Sequence, residues 1–167
     1  MRGSSVFIGV VFALAGIAGT TGASAGGAPK ALSKQCGSVR VTITCARNNG
    51  DCTQTTLTLT TADGQSEVLS KPRGLADFTA VALACVSSRD HEDYFSVQYG
   101  SLPSGCEFCE WEALYSKKGE PLTNNDPAVL TDTTLPEGHQ QYPNNQEYDE
   151  AFEKLGLSKP KYEVFFP

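Results

Sequence analysis

The stretch VRVTITC, residues 39–45, decides the fold class, because its apolar and polar residues alternate with a period of two. Successive side chains of an extended chain point to opposite faces, so Val39, Val41 and Ile43 share one face while Arg40 and Thr42 share the other. This alternation is typical of a strand that is buried on one side only. The segment therefore predicts a half-buried β-strand.

The residues that follow predict a hairpin. Residues 46–51, ARNNGD, contain an Asn-Gly pair, which is a strong signal for a tight turn. The threonine-rich stretch 55–61 comes next and places Leu57 and Leu59 on one face, and β-branched threonine favours the pleated surface of a sheet. Cys45 and Cys52 flank the turn, and we expect them to form a disulfide across it.

Further short strands are predicted along the chain, at 66–70, 94–99, 106–115 and 162–166. Residues 77–86 are apolar on both faces and fit either a central strand or a buried helix. The overall prediction is a mostly β protein, an antiparallel β sandwich or barrel stabilised by disulfides, with one short C-terminal helix.

The end of the chain has a different character. Residues 123–145 are polar and rich in Asn, Gln and Pro, and they predict a long loop. Residues 146–156 have apolar side chains at helical spacing. We expect Asn145 to cap this helix and Gly156 to end it.

The first 25 residues have the pattern of a secretory signal peptide. Arg2 precedes the uncharged apolar run 6–18, and residues 23–25, ASA, form a typical cleavage site. The apolar run is too short to cross a bilayer, which takes about 20 residues. We therefore predict a periplasmic or secreted protein without membrane insertion after cleavage, with a flexible leader at 26–35 and a single domain at 36–167.

The charge of the expected mature chain limits its partners. Removal of residues 1–25 leaves 12 basic and 19 acidic residues, a net charge of −7. No basic stripe exists that would neutralise phosphates, so a nucleic-acid partner is not predicted. An acidic protein associates faster with a partner of opposite charge, and a basic envelope enzyme fits this description.

The cysteines of the expected exported chain predict disulfides. An even number of cysteines in an exported chain predicts disulfides, here three of them. One alternative is a zinc site formed by the C-x-x-C pair at 106–109 together with Cys45 and Cys52, but a second closely spaced C-x-x-C pair is missing. The other is a thioredoxin-like redox site at 106–109, but this pair lies in a strand-like stretch and not at the start of a βαβ unit. The six cysteines, all in the mature part, are Cys36, Cys45, Cys52, Cys85, Cys106 and Cys109.

A search for catalytic residues finds little. The nucleophile motif G-x-S-x-G is absent, and His91 and His139 lie in polar turns. Glu110 and Glu112 stand two residues apart on one strand face, a separation that a glycosidase permits, but any polar strand face produces the same pair. We predict no catalytic residue, no metal and no cofactor.

The loop at residues 101–105 is the candidate binding element, because the neighbouring cysteines would hold it rigid and reduce the entropy lost on binding. The candidate residues are Leu102, Pro103, Ser104, Gly105 and Trp111. Trp111 also fits a core position.

The leading functional hypothesis is an exported, non-enzymatic inhibitor or immunity-type protein that neutralises a protein partner, such as a cell-wall-degrading enzyme. It rests on size, charge and the missing catalytic motifs. The alternatives are a secreted carbohydrate-binding or adhesive module and, third, a hydrolase.

Overall fold

The computed structural model describes residues 31–46, 52, 54–100 and 110–165, and it confirms the mostly β fold. The first sheet contains, in spatial order, β1 (Ala31–Cys36), β2 (Val39–Cys45), β3 (Thr55–Thr60) and β4 (Ser66–Val68). The second contains β10 (Glu163–Val164), β5 (Thr79–Ser87), β6 (Asp93–Gly100) and β7 (Trp111–Tyr115). All neighbouring strands in both sheets are antiparallel.

The two sheets pack face to face as a sandwich. Alternate residues of each strand point inward, so Val41 and Ile43 of the first sheet join Phe95 and Val97 of the second in one apolar cluster. The disulfide between Cys36 of β1 and Cys85 of β5 links the sheets. The expected disulfide between Cys45 and Cys52 is also present.

A helix covers the outer face of the second sheet. This helix, α1 (Gln146–Leu155), packs Tyr148 against Val86 of β5 and Leu114 of β7. The second sheet is therefore buried on both faces, which explains why residues 77–86 are apolar on both sides although they form a strand. Burial on both sides removes the alternation that normally identifies a strand.

A small hairpin interrupts the predicted long loop. It consists of β8 (Val129–Thr131) and β9 (Gln141–Pro143), paired antiparallel. The prediction that 123–145 is loop throughout is therefore wrong at these two strands. Each strand has only three residues, too few for a period of two to stand out in the sequence.

The prediction of a flexible leader is wrong for residues 31–35, while residues 26–30 lie outside the described residues. Residues 31–35 belong to β1, where Lys34 pairs with Val41 of β2 and Leu32 packs against the core. Pairing with a strong neighbouring strand supplies the order that the polar composition of this segment does not indicate. The described part of the chain contains no helix that is long and apolar enough to span a membrane.

The helix begins and ends as predicted, but its N-cap differs. Asn145 makes no capping hydrogen bond, because its side chain instead accepts from the backbone N–H of Glu112 at 2.8 Å and donates to the carbonyl oxygen of Glu110 at 2.9 Å. Gly156 ends the helix in the left-handed conformation, and the N–H of Leu157 donates to the carbonyl oxygen of Phe152. This pattern is the usual glycine stop.

Candidate functional site

Only one of the five predicted binding residues lies in the described part of the chain. Leu102, Pro103, Ser104 and Gly105 lie outside the described residues, as do Cys106 and Cys109, so the third disulfide stays a prediction. Trp111 is 2% exposed, and its ring stacks on Phe78 at 3.9 Å between centroids. Trp111 therefore occupies a core position, which the sequence also allowed for it.

Trp111 nevertheless positions an exposed element. Its indole N–H donates to the carbonyl oxygen of Ala128 at 2.6 Å, immediately before β8. At the other end of the hairpin, the side chain of Asn144 donates to the carbonyl oxygen of Pro127 at 2.8 Å, and its backbone N–H donates to Ala128. Buried Asn125 donates in turn to the carbonyl oxygen of Asn144 at 2.7 Å. These bonds fix the base of the hairpin to the sandwich.

Close packing supports the same base. Gly74 has a φ of +86°, and a β-carbon at this position would lie only 1.9 Å from the carbonyl oxygen of Asn125. Only glycine permits both this backbone conformation and this approach. The loop at 71–78 therefore presses directly against the segment that leads into the hairpin.

The loop between β8 and β9, residues 132–140, which we call the hairpin loop, is hydrogen-bonded within itself. The carboxylate of Asp132 accepts from the backbone N–H and the hydroxyl of Thr134 at 2.9 Å and 2.6 Å, and these bonds lower the pKa of Asp132. The N–H of His139 donates to the carbonyl oxygen of Pro136, with Gly138 in the left-handed region between them. Internal bonds of this kind hold an exposed loop in one shape.

The hairpin also exposes apolar side chains. Three of the five large apolar side chains that are exposed in the described ranges lie between residues 119 and 153, namely Leu122, Leu135 and Tyr142. Leu135 lies in the hairpin loop and is 40% exposed, and Tyr142 lies on β9 and is 39% exposed. Exposed apolar residues on a rigid loop are typical of a binding surface.

The negative charge of the protein is concentrated in the same region. Residues 119–153, which we call the acidic segment, contain eight acidic residues and no lysine or arginine. The rest of the expected mature chain contains 12 basic and 11 acidic residues and is therefore almost neutral. Neither of the two ion pairs in the described ranges involves the acidic segment.

The two acidic residues considered for glycosidase chemistry, Glu110 and Glu112, differ in burial and in hydrogen bonding. Glu112 is half-buried beneath the C-terminal segment, and its carboxylate accepts from the hydroxyl of Tyr162 at 2.8 Å. Burial raises the pKa of Glu112, while the bond from Tyr162 opposes this rise. Glu110 is exposed. The hydroxyls of Ser96 and Tyr148, 2.7 Å apart, extend the network between α1 and the sheet.

The two histidines lie in loops, and the sulfurs of Cys36 and Cys85 lie close to a carboxylate. His91 lies in the turn between β5 and β6, where its N–H donates to the carbonyl oxygen of Ser88, and His139 lies in the hairpin loop. A carboxylate oxygen of Asp93 lies within 4.8 Å of the sulfurs of Cys36 and Cys85. Both sulfurs are bonded to each other, so they supply no thiolate to a metal ion.

Sequence analysis did not find the hairpin as a candidate site. The pattern that could have identified the hairpin is the Pro-Glu-Gly turn at 136–138, which lies between the β-branched residues around Val129 and the aromatic Tyr142. A turn between two such segments is typical of a hairpin.

Comparison of the chain with protein-family models, with curated proteins and with solved structures found no match.

Proposed function

We propose that the mature protein is an exported binding protein that neutralises a basic protein partner, such as a cell-wall-degrading enzyme of the periplasm or the extracellular space. The observation that carries the proposal is the hairpin loop, which is exposed, internally hydrogen-bonded and fixed at its base. A loop that is already ordered loses little entropy on binding, and this is the usual source of affinity in inhibitor loops.

The surface chemistry supports a basic partner. Leu135 and Tyr142 supply apolar anchors, and Asp132 and Glu137 place negative charge in the hairpin loop itself. Interfaces commonly combine a few apolar anchors with a polar rim. Negative charge at an interface speeds the encounter with a basic partner and disfavours acidic competitors.

The compartment is part of the proposal. The two disulfides of the described residues form in oxidising environments, and the expected signal peptide directs the chain there. An inhibitor that is exported meets enzymes that act on the cell wall or on secreted material.

The test uses the mature, oxidised protein as bait for envelope and secreted fractions. A retained protein is purified, and its stoichiometry with the bait, its dissociation constant and its enzymatic activity in the presence of the bait are measured. We expect a basic enzyme that binds at a fixed ratio and loses activity. We also expect affinity to fall as salt rises, because screening weakens the attraction between the charged surfaces.

Variants of the hairpin distinguish specific binding from adsorption. The double substitution Leu135→Ala and Tyr142→Ala should weaken binding by at least about tenfold, since truncation of an anchor costs more than about 1 kcal/mol. The matched control is Val68→Ala, which removes an exposed apolar side chain from β4 and should leave binding unchanged. Equal binding by all three proteins, or retention of polysaccharide alone, would contradict the proposal.

A further inference from the structure

A cavity lies between the two sheets, lined by residues of β3, β5 and β6 and of the segment 68–71. It has a volume of about 110 Å³, and its walls are formed by the buried side chains of Leu57, Leu69, Ala80 and Tyr99. Val68, which is largely exposed, lies at its rim. The cavity therefore combines an apolar interior with access from solvent.

The local strand geometry explains why no side chain fills this space. The pairing of β5 with β6 shifts register between Ala80 and Ala82, so the strand is irregular beside the cavity. At this position β5 presents only the methyl group of Ala80. The hydroxyl of Thr55, which also lines the cavity, is directed to Thr79 and to the carbonyl oxygen of Ala80 and is already bonded.

One cationic group lines the cavity. Lys71 lines the cavity, and its ammonium group donates to the carbonyl oxygens of Ala76 and Phe78. An ammonium group has three N–H donors, so these two bonds leave one donor for another acceptor. Partial burial lowers the pKa of Lys71, and the nearby carboxylate of Asp77 opposes this effect only in part.

We propose that this cavity binds a small aliphatic monocarboxylate, with its hydrocarbon chain against Leu57, Leu69 and Tyr99 and its carboxylate on the ammonium group of Lys71. An apolar interior with one polar group that fixes orientation is the usual composition of a small-molecule site. The volume limits the chain to a few carbons, since a cavity of about 150 Å³ accepts benzene. This site is independent of the proposed inhibitory function.

The test is an NMR titration of the mature, oxidised protein with butyrate, and with 1-butanol as its neutral counterpart. We expect saturable shifts of the methyl signals of Leu57, Leu69 and Ala80, with a dissociation constant of roughly 1 mM, which is the scale that six non-hydrogen atoms support. Butanol should bind about tenfold more weakly, because its uncharged hydroxyl accepts a hydrogen bond from the ammonium group but forms no ion pair with it. Absence of saturable shifts, or equal affinity for both compounds, would overturn the proposal.

Two variants test the two halves of the site. Lys71→Met should weaken butyrate binding about tenfold and butanol binding less, because only butyrate loses an ion pair, whereas Lys118→Met, at an exposed lysine, should change neither. Ala80→Leu should abolish binding of both compounds because its side chain fills the cavity. Well-dispersed spectra confirm folding of each variant. Undiminished binding by a folded Ala80→Leu protein would show that the ligand lies elsewhere.

Discussion

The sandwich and the hairpin are held in place by different balances of interactions. The sandwich buries a continuous apolar cluster between two sheets that a disulfide joins. The hairpin packs Ala128 and Val129 at its base against this cluster and is also held by directional hydrogen bonds from Trp111, Asn125 and Asn144. The difference shows how a scaffold can present a loop. Apolar burial stabilises the body, while buried polar groups help to fix the base of the hairpin, whose side chains Leu135 and Tyr142 stay exposed.

The largest expected effect concerns the scaffold. Replacement of Cys36 and Cys85 by alanine should lower the free energy of unfolding by about 4 kcal/mol, because these residues lie 49 apart and the disulfide restricts a long loop in the unfolded chain. The same change at Cys45 and Cys52, which lie 7 apart, should cost only about 2.5 kcal/mol. Urea denaturation under oxidising conditions measures both. The reverse order would show that loop length does not govern their contributions.

A smaller effect is expected at the base of the hairpin. Asn125→Ala should lower the free energy of unfolding by about 2 kcal/mol, since it leaves the buried carbonyl oxygen of Asn144 without its donor. Amide hydrogen exchange should accelerate in β8 and β9 more than in β5 and β6.

The neighbouring substitution Asn124→Ala is the control for this prediction. Its side chain accepts a longer bond from the N–H of Arg73, 3.2 Å and exposed, so the loss should be about 0.5 kcal/mol or less. Equal losses for the two variants, or uniform acceleration of exchange over the whole chain, would contradict the distinction between hairpin and sandwich.

The smallest effect concerns the network that joins α1 to the second sheet. Burial raises the pKa of Glu112, so its stabilising contribution is complete below the ordinary value of 4.5 and is lost as pH rises through the higher pKa of the folded state. Gln at position 112 stays neutral and can still accept from Tyr162. The stability of Glu112→Gln relative to the native protein should therefore increase with pH, by less than about 1 kcal/mol because partial exposure screens the charge.

Denaturation at several pH values between about 4 and 7 measures this difference. Glu110→Gln removes the same charge from an exposed position and should show a weaker dependence. A relative stability of Glu112→Gln that falls as pH rises would show that the contact with Tyr162 favours the charged carboxylate more than burial disfavours it.

Much of the fold could be predicted from local patterns, while the candidate site could not. Strand β2 was predicted at its observed bounds because one of its faces is buried and the other is more exposed. Strand β5 was ambiguous, since α1 and the first sheet cover both of its faces. The hairpin was missed because its strands are short and its order comes from contacts with Trp111 and Asn125, which are distant in the chain.

The sequence by itself determined the strands with clear alternation, the disulfide between Cys45 and Cys52, and the end of α1 at Gly156. Each of these depends on residues that are close along the chain. Only the tertiary structure decided that Cys36 pairs with Cys85, that residues 31–35 form a strand and that Trp111 is buried. These features depend on which distant segments meet when the sheets pack, and local periodicity does not contain that information.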